Sequence, residues 1–127
     1  MNQIIFDYAT IEYKEPIVYF RLTKGVVLDE KMVLECIEAG NKLAGYKPHL
    51  LLTDARVQAD LSPEARKAAA DKKNTATIIA SAIVVKWLAQ RLISNVFMEI
   101  NKPHYPTRVF NDEQKAVKWL LEHKRTV

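Results

Sequence analysis

Only three glycines, Gly25, Gly40 and Gly45, occur in the chain. That leaves no material for a glycine-rich phosphate-binding loop, and no such motif is present. Cys36 is the lone cysteine, which excludes an internal disulfide framework and fits a reducing compartment. No apolar run approaches the roughly 18 residues needed for a membrane-spanning helix. Met1–Lys14 lacks both a basic start and a continuous apolar core, so no secretory signal peptide is read there. These absences together point to the cytoplasm. The histidines His49, His104 and His123 show no metal-ligand spacing with one another or with Cys36. No metal and no cofactor is implied. No Ser/His/Asp set can be assembled from the sequence either, which argues against an enzyme.

What is present suits one globular domain over residues 1–127. Of the 127 residues, 49% are hydrophobic and 27% charged, the ordinary proportions of a packed soluble fold. Nineteen Lys and Arg against 15 Asp and Glu leave a net charge of +4 and a pI near 9.2. The densest basic stretch, Arg66, Lys67, Lys72 and Lys73, is broken by Asp71 and has no interleaved aromatics. A solvated helix face explains it better than a nucleic-acid surface.

Hydrophobic periodicity outlines the elements. Ile11-Glu12-Tyr13-Lys14 and Ile17–Leu22 alternate with period two, and Glu15-Pro16 between them reads as a tight connection, so a hairpin is expected. Ile4–Tyr8 could extend its first strand. Leu28–Ala44 changes to helical spacing, with Leu28, Met32, Cys36, Gly40 and Leu43 along one side. Asp29 and Glu30 suit its positive end, and Gly45 a left-handed stop. Leu50-Leu51-Leu52 is apolar on both sides, the mark of an interior parallel strand, so Leu51 is expected to be fully buried. Ser62-Pro63-Glu64 is a helix start: a capping hydroxyl, proline in the first helical position and a first-turn carboxylate. Strands over Ile78–Val85 and Thr107–Phe110 follow, with a helix over Lys86–Asn101 between them. Asn111 or Asp112 caps a last helix, with Gln114 placed for a capping box. The order is β-β-α-β-α-β-α-β-α, an α/β fold with a single mixed, mainly parallel sheet layered by helices.

Two stretches carry a family likeness. Ile83-Val84-Val85-Lys86-Trp87-Leu88 passes from strand straight into a tryptophan-bearing helix. Thr107-Arg108-Val109-Phe110-Asn111-Asp112-Glu113 leads into Ala116-Val117-Lys118-Trp119-Leu120. This pairing resembles the SpoIIAA-like family of the STAS superfamily, the anti-sigma-factor-antagonist fold. The resemblance implies a small cytoplasmic module that binds partners without performing chemistry. Antagonists of that kind carry a phosphorylated serine in an Asp-Ser-Ser-Gly turn. Here the stretch is Asp60-Leu61-Ser62-Pro63. Ser62 stands at the phosphoacceptor's place, with Leu61 for the first serine and Pro63 for the glycine. That departure favours Ser62 as a helix cap over Ser62 as a switch.

Two further sets of residues are candidates for function. Asp54 and Arg56 follow the interior strand, where ligands of open α/β sheets gather. One reading is an anion or partner contact made by Arg56 and oriented by Asp54. The other is a structural ion pair ordering the loop to Ser62. On the Lys86–Asn101 helix, Ala89, Leu92, Ile93, Val96, Phe97 and Ile100 fill one arc suited to the sheet. Trp87 and Met98 lie in the opposite, polar arc with Arg91 between them, surplus to core formation and suited to a partner surface. The expectation is therefore a STAS-like regulatory or protein-interaction module. A second copy of the chain, forming a homodimer, is its most economical partner. The alternative is a carrier or sensor of a small apolar, lipid-like ligand held between helix and sheet.

Overall fold

The structure, a computed structural model, describes residues 2–86 and 103–124. The expected hairpin is formed by β2 (Ala9–Lys14) and β3 (Ile17–Leu22), antiparallel, with Ile11 opposite Phe20 and Tyr13 opposite Val18. The residues before it do not prolong β2. The Phe6 N–H donates to the Ala9 carbonyl at 2.8 Å, closing a turn. β1 (Gln3–Ile5) therefore runs back antiparallel along β2.

After β3 comes a two-residue strand, β4 (Val27–Leu28), and then α1 (Glu30–Leu43). Asp29 caps α1 by accepting the Met32 N–H at 2.8 Å, and Gly45 beyond its end has φ +67°, as a left-handed stop requires. Gly40 is needed for another reason. A Cβ there would stand 3.0 Å from Val18 Cγ1, so the missing side chain lets α1 close on the sheet. β5 (His49–Asp54) lies between parallel neighbours β3 and β7 (Ile78–Val84), as its two-sided apolar run implies.

Another two-residue strand, β6 (Asp60–Leu61), pairs parallel with β4. α2 (Pro63–Ala70) starts at Ser62, whose Oγ accepts the Ala65 N–H at 3.1 Å. β8 (Thr107–Phe110) and α3 (Glu113–Leu121) complete the described chain. Asp112 is the cap of α3 and accepts the N–H groups of Gln114 and Lys115. Gln114 is thus one position too early to close a capping box. The helix expected over Lys86–Asn101 falls on residues 87–102, outside the described residues.

The main sheet has the order β1-β2-β3-β5-β7-β8, antiparallel from β1 to β3 and parallel from β3 to β8. α1 and α2 cover one face, where Ile11, Val18, Phe20 and Leu51 meet Val33, Cys36, Ala65 and Ala68. On the other face α3 sets Ala116 and Leu120 against Leu50, Leu52, Ala82 and Val84. Leu50 and Leu52 are 0% exposed, whereas Leu51 is 6% exposed. It borders an apolar cavity of about 100 Å³ shared with Leu22, Thr53, Ile83 and Tyr105.

Candidate functional site

The carboxyl ends of β3 and β5 carry the main charge cluster among the described residues. Arg21 and Asp54 are register partners on these strands. Period-two alternation places both on the α3 face with Tyr19 and Leu52. Asp54 is the last residue of β5 rather than a loop residue, because its backbone pairs with both Arg21 and Val84. Glu113, in the first turn of α3, reaches the same point.

Arg21 Nη1 donates to Asp54 Oδ2 at 2.9 Å and to Glu113 Oε1, and Nη2 donates to Glu113 Oε2 at 3.2 Å. Arg21 Nε lies 3.5 Å from Glu12 Oε1, and the guanidinium stands 4.9 Å from the centre of the Tyr19 ring. Arg56 grips Asp54 with two parallel bonds, Nε to Oδ1 and Nη2 to Oδ2, each 2.9 Å. Its Nη2 also donates to Glu113 Oε1 at 2.9 Å, and its backbone N–H donates to Asp54 Oδ1 at 3.2 Å.

Burial alone would push the Asp54 carboxyl up. The bonds from Arg56 and Arg21 outweigh it and hold the group at about 2. Glu113 is likewise held below the usual carboxylate range, chiefly by its bonds to Arg21. Arg21 and Arg56 are both raised by these same carboxylates. Near neutral pH Arg21, Asp54, Arg56 and Glu113 are therefore all ionised. None is poised to exchange a proton, which is what general acid–base work requires.

Sequence reasoning placed Asp54 and Arg56 together and missed Arg21 and Glu113. Arg21 is a polar residue where β3 otherwise buries its side chains, and Glu113 is the first helical residue after a cap. Either departure could have drawn attention. The third candidate, Ser62, is not among the residues bonded to this cluster. Its Oγ caps α2, and its N–H donates to the Leu28 carbonyl at 2.8 Å. Trp87, Arg91 and Met98 lie outside the described residues.

The histidines are accounted for locally. His49 is buried, with Nδ1 bonded to the Lys47 carbonyl at 2.9 Å. The Thr75 hydroxyl donates to the Asp71 carbonyl, so His104 Nε2–H is the donor to Thr75 Oγ1, both bonds being 2.8 Å. That bond ties the Pro103–Pro106 loop to the turns that follow α2. Trp119, off the main stripe of α3, packs at 5.7 Å from Phe110 and 4.5 Å from His123, centre to centre. Among the described residues no group of three His, Cys, Asp or Glu could hold a metal ion. No helix among them is long and apolar enough to cross a membrane.

A mixed, mainly parallel sheet between helical layers is the SpoIIAA-like class of α/β fold. A solved structure of the same architecture is an uncharacterized protein of the DUF3478 family from Shewanella loihica PV-4, itself described as having a SpoIIAA-like fold. The two match with a TM-score of 0.60 and 17% identity, covering 88% of this chain and 91% of that one. The family model for a domain of unknown function, DUF7793, matches residues 11–124. The chain belongs to this family. Comparison with curated proteins gives no match.

Proposed function

We propose that this protein is a non-catalytic, STAS-like regulatory module of the cytoplasm that acts by binding a protein partner, most economically a second copy of itself. The observation that carries the reading is the charge cluster at the strand ends. Asp54 and Glu113, the acidic groups best placed to act on a ligand there, are both committed to arginines. The SpoIIAA-like fold supports it at the level of architecture. The partner surface rests on the sequence pattern of Trp87, Arg91 and Met98, where large apolar side chains flank an arginine outside the core stripe.

Sedimentation of the pure protein tests this. A dimer is expected, and Trp87→Ser with Met98→Ser should shift it to monomer with little change in the thermal midpoint. Sedimentation as a monomer at high concentration would rule out self-association. An unfolded double variant would place those side chains in the core instead. The apolar-ligand reading has two places among the described residues, an open groove of about 620 Å³ between β1 and α1 lined by Ile4, Phe6 and Leu34, and the more enclosed cavity beside Leu51. The volume of that cavity, about 100 Å³, is well below the several hundred Å³ usual for small-molecule sites.

A further inference from the structure

Three loops leave the carboxyl ends of the adjacent strands β3, β5 and β7, and each contributes a cation to one cleft. Lys24 follows β3, Arg56 follows β5 and Lys86 follows β7. With Val57 and Gln58 they line a cleft of about 370 Å³. The loops are latched to one another through their backbones. The Gly25 N–H donates to the Gln58 carbonyl at 3.2 Å, and the Asp60 N–H donates to the Val26 carbonyl at 3.0 Å. On the other side the Ala55 N–H donates to the Val84 carbonyl at 2.9 Å. Gln58 holds φ +57° to make this turn, a conformation that costs a non-glycine residue free energy.

Arg56 is fixed by what lies beneath it. Asp54 and Glu113 occupy Nε and Nη2, and among the described residues none accepts from Nη1. Lys24 is exposed and has no acceptor among the described residues, while Lys86 is exposed on the opposite loop. The inner carboxylates Asp54 and Glu113 balance the charges of Arg21 and Arg56 and hold the Arg56 fork in place, while Lys24 and Lys86 bring the excess positive charge to the cleft. Cations converging from three separate loops suit a tetrahedral, doubly charged anion. A carboxylate is satisfied by a single guanidinium fork. The mouth of an open α/β sheet, beyond the carboxyl ends of its strands, is also where such folds bind ligands.

From these observations we infer that the cleft between Lys24, Arg56 and Lys86 is a binding site for a phosphate group, either free or carried as a small phosphate monoester. This goes beyond the interaction-module reading and does not depend on it. A protein can hold a phosphate here whether or not it dimerises.

The test is a titration with inorganic phosphate followed by backbone amide NMR, at constant ionic strength maintained with sodium chloride. Saturable shifts are expected at the amides of residues 24–25, 56–58 and 86. A parallel titration with glycerol phosphate distinguishes the two sources, since tighter binding of the ester assigns the site to a phosphorylated small molecule. Lys24→Gln with Lys86→Gln should weaken binding at least tenfold, and Lys24→Gln alone should weaken it by a smaller factor. Lys24 is exposed, so Lys24→Gln alone should leave the thermal midpoint nearly unchanged, and the double variant is compared in its folded state. Shifts that follow chloride equally, that fail to saturate, or that persist unweakened in the folded double variant would overturn the proposal.

Discussion

Arg21 and Asp54 face each other across the parallel β3–β5 joint, register partners joined by an ion pair of 2.9 Å. The pair ties the antiparallel hairpin of the sheet to its parallel half at the end where the loops emerge. Asp54 also anchors Arg56, so this carboxylate holds both a strand joint and a loop.

Asp54→Asn should therefore destabilise the protein, and the effect should shrink in acid. The Asp54 carboxyl stands at about 2 in the fold against an ordinary 3.8. Its contribution is complete above the unfolded value and is lost as pH falls from about 4 towards 2. The difference corresponds to about 2 kcal/mol. Urea unfolding of both proteins at pH 7 and near pH 2.5 checks this, and an undiminished gap in acid would exclude the ionised carboxylate as its cause.

Burial within β5 ranks the leucines. Leu52 is 0% exposed and packed under α3, whereas Leu51 already borders a cavity. Leu52→Ala should cost about 2–5 kcal/mol, and Leu51→Ala should fall towards the lower end of that range. Equilibrium denaturation of the two variants measures the difference directly.

At Ser62 the relevant atom is Oγ, which accepts the Ala65 N–H. Ser62→Ala should cost on the order of 1 kcal/mol, while Ser62→Asp should be nearly neutral, because aspartate caps as well and suits the helix dipole. Thermal unfolding distinguishes them. Phosphate on Ser62 in protein isolated from its own cell would show that the residue does more than cap.

His49 gives the fold a second pH dependence. Burial lowers its pKa, and the bond to the Lys47 carbonyl only partly offsets this. The unfolded chain therefore binds a proton more readily than the folded one. The stability due to neutral His49 is present above the unfolded value near 6.5 and declines as pH falls towards the lowered folded value. His49→Gln, which keeps a donor for the Lys47 carbonyl, should flatten the stability profile between about pH 7 and 5.5. A profile of unchanged slope would assign the dependence to other groups.

Local chemistry wrote much of this fold into the chain. Period-two alternation marked β2 and β3, a run apolar on both sides marked β5 as interior, and Ser62-Pro63-Glu64 marked the start of α2. Each signal works within a few residues, because it reports a backbone conformation or a buried face. β4 and β6, two residues each, are too short to show any period. The fork between Asn111 and Asp112 as the cap of α3 depended on which residue leaves β8 in extended conformation. The charge cluster lay further beyond sequence reach. Arg21 and Glu113 are 92 positions apart, and nothing local to either names the other. They meet because β3 lies beside β5 and α3 starts above both. The same adjacency of β3, β5 and β7 brings Lys24, Arg56 and Lys86 to one cleft. Alternation and capping determined which segments became strands and helices. Only the order of strands in the sheet decided which charges would share a site.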